Sequence, residues 1–157
     1  MTELNLPTLK IDIRKNNFDI SLETKSLINQ DYGIGAVVSF LGIVRDLSKN
    51  NDLKFMEIEH YPGMSEKILQ IHCKKALELW DIEGISLIHR VGKFTAGDNI
   101  VLLLVATAHR TEAFNAAEFI MDFLKSEAPF WKKETTSTGA VWIEQNESDK
   151  KKILRWK

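Results

Sequence analysis

The chain has 157 residues and a mass of 18.0 kDa; 44% of it is hydrophobic, 27% charged, and the formal net charge is −1. That balance fits one globular domain over residues 1–157 with a core of its own, and excludes a disordered or fibrous chain. A near-neutral charge gives no global attraction to nucleic acid or to an anionic membrane, so any anion recognition must be local. No apolar run approaches the ~18 residues of a membrane span, and Met1 to Asn5 lacks the basic-then-apolar pattern of a secretory leader, so a cytoplasmic protein is expected.

In chain order, residues 9–14 predict a short edge strand, and Ser21 is placed to cap a helix reaching about Gln30. Ala36 to Val44 is rich in β-branched residues and predicts a strand that ends at Arg45-Asp46. The polar run Lys49 to Asp52 predicts a turn into a second strand, Leu53 to His60. Ser65 is placed to cap an amphipathic helix over 66–80. Ile85 to Val91 and Asn99 to Thr107 predict two more strands joined through Gly92 and Ala96-Gly97-Asp98. Val101 to Ala106 has no polar interruption, so that strand is expected at a sheet centre with both faces covered. Thr111 is placed to cap the next helix, expected to reach about Ala128, and Val141-Trp142-Ile143 predicts a short final strand. Two helices against a largely antiparallel sheet make an α+β domain.

The segment Phe119 to Glu134 carries the strongest chemical signal. Pro129 has no amide hydrogen with which to continue a helix and drives the residue before it toward extended geometry. Lys125 then lies on the last helical turns while Lys132 returns on an extended segment, so two ammonium groups can converge on one pocket. Phe123, Leu124 and Phe130-Trp131 surround Lys125 in sequence, and burial there would make it a proton donor or nucleophile near neutral pH. The ordinary reading is a Lys125 that snorkels to water and a Lys132-Lys133-Glu134 surface cluster. His109-Arg110 stands where the apolar strand gives way to a helix, a place where free amides and a guanidinium favour an anion, though position alone favours the ordinary reading of a core histidine and a solvated arginine.

Cys73, the single cysteine, shares a helical face with Leu69, Ala76, Leu77 and Trp80 and reads as an inert buried thiol. His60, His72 and His89 stand singly and read as structural. Phosphate loops of the P-loop or Rossmann type, HExxH and Gly-x-Ser-x-Gly are all missing from the sequence, which argues against nucleotide hydrolysis, zinc catalysis and serine-hydrolase chemistry.

Five segments together resemble the MoaE family, the large subunits of molybdopterin synthase. They are Gly35 to Arg45, Glu59 to Lys67, Ile88-His89-Arg90-Val91-Gly92 with Gly97-Asp98, Ala108-His109-Arg110, and Phe119 to Glu134. The resemblance covers about residues 34–156; the first ~30 residues and the loop 46–53 match weakly. It implies an α/β-hammerhead arrangement and an enzyme, a sulfurtransferase, that converts cyclic pyranopterin monophosphate to the dithiolene of molybdopterin. Sulfur would arrive as a thiocarboxylate on a small ubiquitin-like MoaD-like subunit, in a heterotetramer built on a dimer of the large chain. By the same resemblance, Lys125 and Lys132 take the catalytic positions. Ile43, Val44, Arg45, His109, Arg110, Lys125, Lys132, Lys133 and Glu134 take the substrate-binding ones. Ile43 stands where relatives are often basic, which leaves a backbone contact as its implied role. No resident cofactor or metal is implied. Two other classes are consistent with the residues: a pterin- or phosphate-binding module without catalysis, and a scaffold docking through Phe130-Trp131.

Overall fold

The computed structural model describes residues 6–29, 31–46, 52–144 and 147–157. Its strands are β1 (Thr8–Arg14), β2 (Ala36–Ile43), β3 (Phe55–His60), β4 (Gly84–Arg90), β5 (Gly92–Phe94), β6 (Asn99–Thr107), β7 (Phe130–Thr136) and β8 (Gly139–Ile143). Its helices are α1 (Ile20–Ile28), α2 (Met64–Leu79), α3 (Arg110–Ser126) and α4 (Glu147–Lys152), followed by a 3₁₀ turn at Ile153–Trp156. The expected α+β class is observed, with the strands divided between two four-stranded sheets, ordered β1-β4-β6-β2 and β5-β3-β7-β8. All pairings are antiparallel except β1 with β4. The expected turn at 49–52 falls largely outside the described residues, as does Gln30.

The first sheet is covered on both sides, which explains why β6 carries apolar residues without alternation. Ile88, Leu102, Leu104 and Ala106 pack with Phe18 and Leu27, on the side of α1. Ile85, Leu87, Leu103 and Val105 pack on the other side with Leu69, Cys73 and Ala76 of α2 and with Ala116, Phe119 and Ile120 of α3. Gly92, at φ +118°, lets the chain leave β4 and enter the second sheet at once as β5. This short strand lies inside what the sequence predicts as a plain connection.

The cap positions of α1, α2 and α3 lie two residues before those expected from sequence. Asp19, not Ser21, caps α1, its carboxylate accepting from the Leu22 amide at 3.0 Å. Gly63 precedes α2, its amide donating to Glu66 Oε2 at 2.7 Å. His109 precedes α3 with no side-chain cap, so Thr111 is already helical. Ser65 serves a different purpose: fully buried, it accepts from the Tyr61 amide at 2.9 Å and donates to the Pro129 carbonyl at 3.0 Å. The start of α2 is thereby tied to the reversal between α3 and β7. α3 itself ends at Ser126, where Glu127 and Ala128 both donate to the Phe123 carbonyl before Pro129.

The C-terminal turn is fastened to the middle of α3. The Asp122 carboxylate, 8% exposed, accepts from Arg155 at 2.7 and 3.2 Å and from Trp156 Nε1 at 2.7 Å. A buried carboxylate is tolerated when its lone pairs are met in this way. The clamp also holds α4 beside the end of α3.

Candidate active site

A cavity of about 430 Å³ opens between the two sheets and the C-terminal half of α3. Its polar lining comes from Arg45 after β2, His89 on β4, Lys125 on α3, Lys132 and Glu134 on β7, Glu144 after β8 and Asp149 on α4. Leu124, Ala128 and Phe130 are among its apolar lining.

Strand alternation explains which residues of β7 reach it. Phe130, Lys132 and Glu134 face the cavity, while Trp131 and Lys133 lie on the opposite face. Lys133 pairs with Glu57, its direct cross-strand partner, at 3.0 Å, and its ammonium stands 5.3 Å over the Trp142 ring. It belongs to a surface ladder and does not line the cavity of its own chain. Trp131, 46% exposed, likewise leaves Phe130 as the aromatic wall.

The predicted convergence of Lys125 and Lys132 is observed, but the desolvation expected for Lys125 is not. Lys125 is exposed; the partly buried lysine is Lys132. Burial, and then the neighbouring Lys125 ammonium, pushes the Lys132 pKa down to about 8, against an opposing pull from Asp149. The difference follows from position: Lys125 stands on the last turn of a helix, whereas Lys132 lies within a strand flanked by β3 and β8.

The end of β2 supplies the opposite wall. A bulge between Gly42 and Ile43 pairs Ile43 with Asn99, and a Cβ on Gly42 would overlap Val101 Cγ1. Ile43, half-exposed, lines the cavity. Val44 is 3% exposed; its amide donates to the Asp98 carbonyl at 2.9 Å, and its carbonyl accepts from Gly97 at 2.8 Å. Val44 therefore contributes an apolar surface, its backbone being already paired. Arg45 is exposed at the edge.

His109 and Arg110 do not line this cavity. They are exposed at the start of α3, fifteen residues before Lys125, which is about 22 Å along a helix. The lining thus holds Arg45 and two lysines against three carboxylates, an even balance of formal charge.

Three polar lining residues, His89, Glu144 and Asp149, escape sequence reasoning. His89, 4% exposed, stacks on Phe130 with centroids 4.0 Å apart and planes at 12°. The available signal is its place on the buried face of β4, in step with Ile85 and Leu87. Asp149 lies on a helix that the sequence pattern does not predict. His72 fits its structural reading, stacked on Phe123 at 4.1 Å, with burial lowering its pKa against the opposing effect of Glu127. Cys73 has no exposure, and burial pushes its thiol up to about 12.

A sequence profile described as MoaE protein matches residues 13–127. The molybdopterin synthase catalytic subunit of Ralstonia nicotianae is 47% identical over 151 residues, covering 96% of this chain and 85% of the relative. The chain belongs to the MoaE family. Its fold matches the MoaE protein of Burkholderia ambifaria with a TM-score of 0.81 at 41% identity, covering 95% of this chain and 98% of the other. The molybdopterin synthase of Staphylococcus aureus superposes with a TM-score of 0.78 at 30% identity, covering 85% and 96%. A catalytic role in molybdopterin synthesis accordingly attaches to this MoaE chain, and the match from residue 13 includes the end of β1 and all of α1. No described helix is long and apolar enough to cross a membrane.

Proposed function

We propose that this chain, acting as a single catalytic domain over residues 1–157 in the cytoplasm, is a sulfurtransferase that acts on cyclic pyranopterin monophosphate. The sulfur comes from the thiocarboxylated C-terminus of a small MoaD-like subunit, and the product is the dithiolene of molybdopterin. The observation that carries this reading is the convergence of Lys125 and Lys132 in one cavity from two separate elements. A cyclic phosphate that opens develops negative charge on oxygen, and fixed cations aimed at that oxygen stabilise the transition state. Arg45 and Lys125 supply such charge. Lys132, with its pKa near 8, suits proton transfer around neutral pH. Phe130 forms the apolar wall along which a thin, glycine-ended tail enters. Buried Cys73 leaves the carrier subunit as the source of sulfur.

The evenly charged lining calls for more cation before a phosphate is held well. A second copy of the chain, presenting His109 and Arg110 to its mate, supplies it within a heterotetramer of two large and two small subunits. Ile43 contributes through its backbone, and Glu134 lines the substrate-binding cavity.

An assay of dithiolene formation with thiocarboxylated partner and precursor tests the proposal. Turnover supports it. Precursor binding without turnover selects a pterin-binding module instead, and partner binding alone selects a scaffold. Mixing Lys125→Ala with Arg110→Ala chains tests the shared pocket: mixed dimers are expected to regain one working site. No recovery after proven subunit exchange places each pocket within one chain.

A further inference from the structure

Ser65 carries a fully buried hydroxyl in the first turn of α2, inside the helix rather than at its cap. The hydroxyl is used twice. It accepts from the Tyr61 amide at 2.9 Å and donates to the Pro129 carbonyl at 3.0 Å, 64 residues further along the chain. The Ser65 amide donates to the Tyr61 carbonyl at 2.8 Å, so one residue holds both polar groups of the Tyr61 backbone.

The ladder between β3 and β7 ends with His60 opposite Phe130, and one step further its register sets Tyr61 opposite Pro129. Proline has no N–H, so this pair lacks the donor that would meet the Tyr61 carbonyl. Ser65 completes the pair from both directions: its amide replaces that donor, and its hydroxyl links the Tyr61 amide to the Pro129 carbonyl. Beyond Pro129, the Phe130 amide donates back to the Ala128 carbonyl at 2.9 Å, a three-residue turn. The residue that leaves this turn is Phe130, whose ring walls the cavity and stacks on His89 with centroids 4.0 Å apart. Lys132 follows two residues later on the same face of the strand. A buried amide or carbonyl left without a partner is costly, so loss of the hydroxyl drives the two strand ends to rearrange.

We infer that Ser65 is a positioning residue: its hydroxyl fixes where β7 begins, and with it the places of Phe130 and Lys132 in the cavity. The inference rests on the reading of Lys132 as a catalytic residue. Proton NMR of the His89 ring tests it without turnover, because the stacked Phe130 ring shifts those resonances upfield. In Ser65→Ala that shift is expected to change, and kcat to fall about 10²-fold with KM for the precursor unchanged. Ser65→Thr, which keeps the hydroxyl, is expected to restore most of both. A folded Ser65→Ala chain with the wild-type shift overturns the inference, as does one whose kcat falls no further than its folded fraction. If Ser65→Ala does not fold, hydrogen exchange in the wild type decides. The Tyr61 amide is expected to be as protected as the amides of the β3–β7 ladder, and exchange at the rate of an open loop overturns the bridge. A wild-type chain that transfers no sulfur, while Ser65→Ala shows the changed shift, defeats the proposed function and leaves the positioning of Phe130 standing.

Discussion

Lys132 and Lys133 are sequence neighbours on one strand, and the two faces of β7 give them unrelated environments. Lys132 turns inward, loses water, meets a second ammonium and has its pKa pushed down to about 8. Lys133 turns outward, pairs with Glu57 at 3.0 Å and lies over an indole. The residue type is the same; strand parity decides whether it is a chemical group or a surface charge.

The sharpest way to break this contrast is to truncate each lysine. Lys132→Ala and Lys125→Ala are each expected to lower the rate of dithiolene formation by ~10²–10³, whereas Lys133→Ala in the same assay keeps most of it. Comparable losses in all three would erase the distinction between the faces.

Binding should sort in the same way, with a smaller effect. Arg45→Ala is expected to weaken precursor binding by about 1.5–3 kcal/mol for one lost charge-assisted contact. Calorimetry that finds its affinity unchanged would remove Arg45 from the anion site.

The pH dependence sharpens the inner face. The folded pKa of Lys132 lies near 8, below its ordinary value of 10.5, so between these the unfolded chain binds more protons. Stability contributed by this group therefore rises as pH climbs through that window and is flat below it. The difference in melting temperature between wild type and Lys132→Met should move with that sign. Lys125→Ala, by removing a like charge, should raise the Lys132 midpoint. A midpoint that stays or falls would mean that the two ammonium groups do not interact.

The smallest effect belongs to the outer face. A double-mutant cycle on Glu57 and Lys133 is expected to give about 0.2–1 kcal/mol, as for partly exposed pairs. A coupling well above that would make the ladder a structural element in its own right.

Much of the framework was legible because it depends on local pattern. The unbroken apolar run Val101 to Ala106 marked a strand covered on both faces, and Pro129 marked the reversal that brings Lys132 back toward Lys125. Features set by distant partners were not legible. Ser21, Ser65 and Thr111 have capping chemistry but lie two residues inside their helices, because Asp19, Gly63 and His109 already hold the non-helical geometry. The edge strand of the second sheet, β5, is three residues long and without a pattern of its own. Sequence neighbours predict desolvation for Lys125, yet it falls on Lys132, which lies within a strand flanked by β3 and β8. His89 reads as structural from sequence, and its stack on Phe130 of the other sheet is set by a partner distant in sequence.

The buried state of Cys73 also bears on how the chain can be handled. It is the single cysteine, it has no exposure, and its thiol titrates near 12. Alkylating reagents and fluorescent maleimides should therefore leave the folded protein untouched. A cysteine introduced at an outward position of β8, such as Trp142→Cys, would then be the sole labelling site. One dye placed there reports on whatever approaches the second sheet while Cys73 stays silent, and labelling at Cys73 itself becomes a clock for unfolding of the first sheet and its helices.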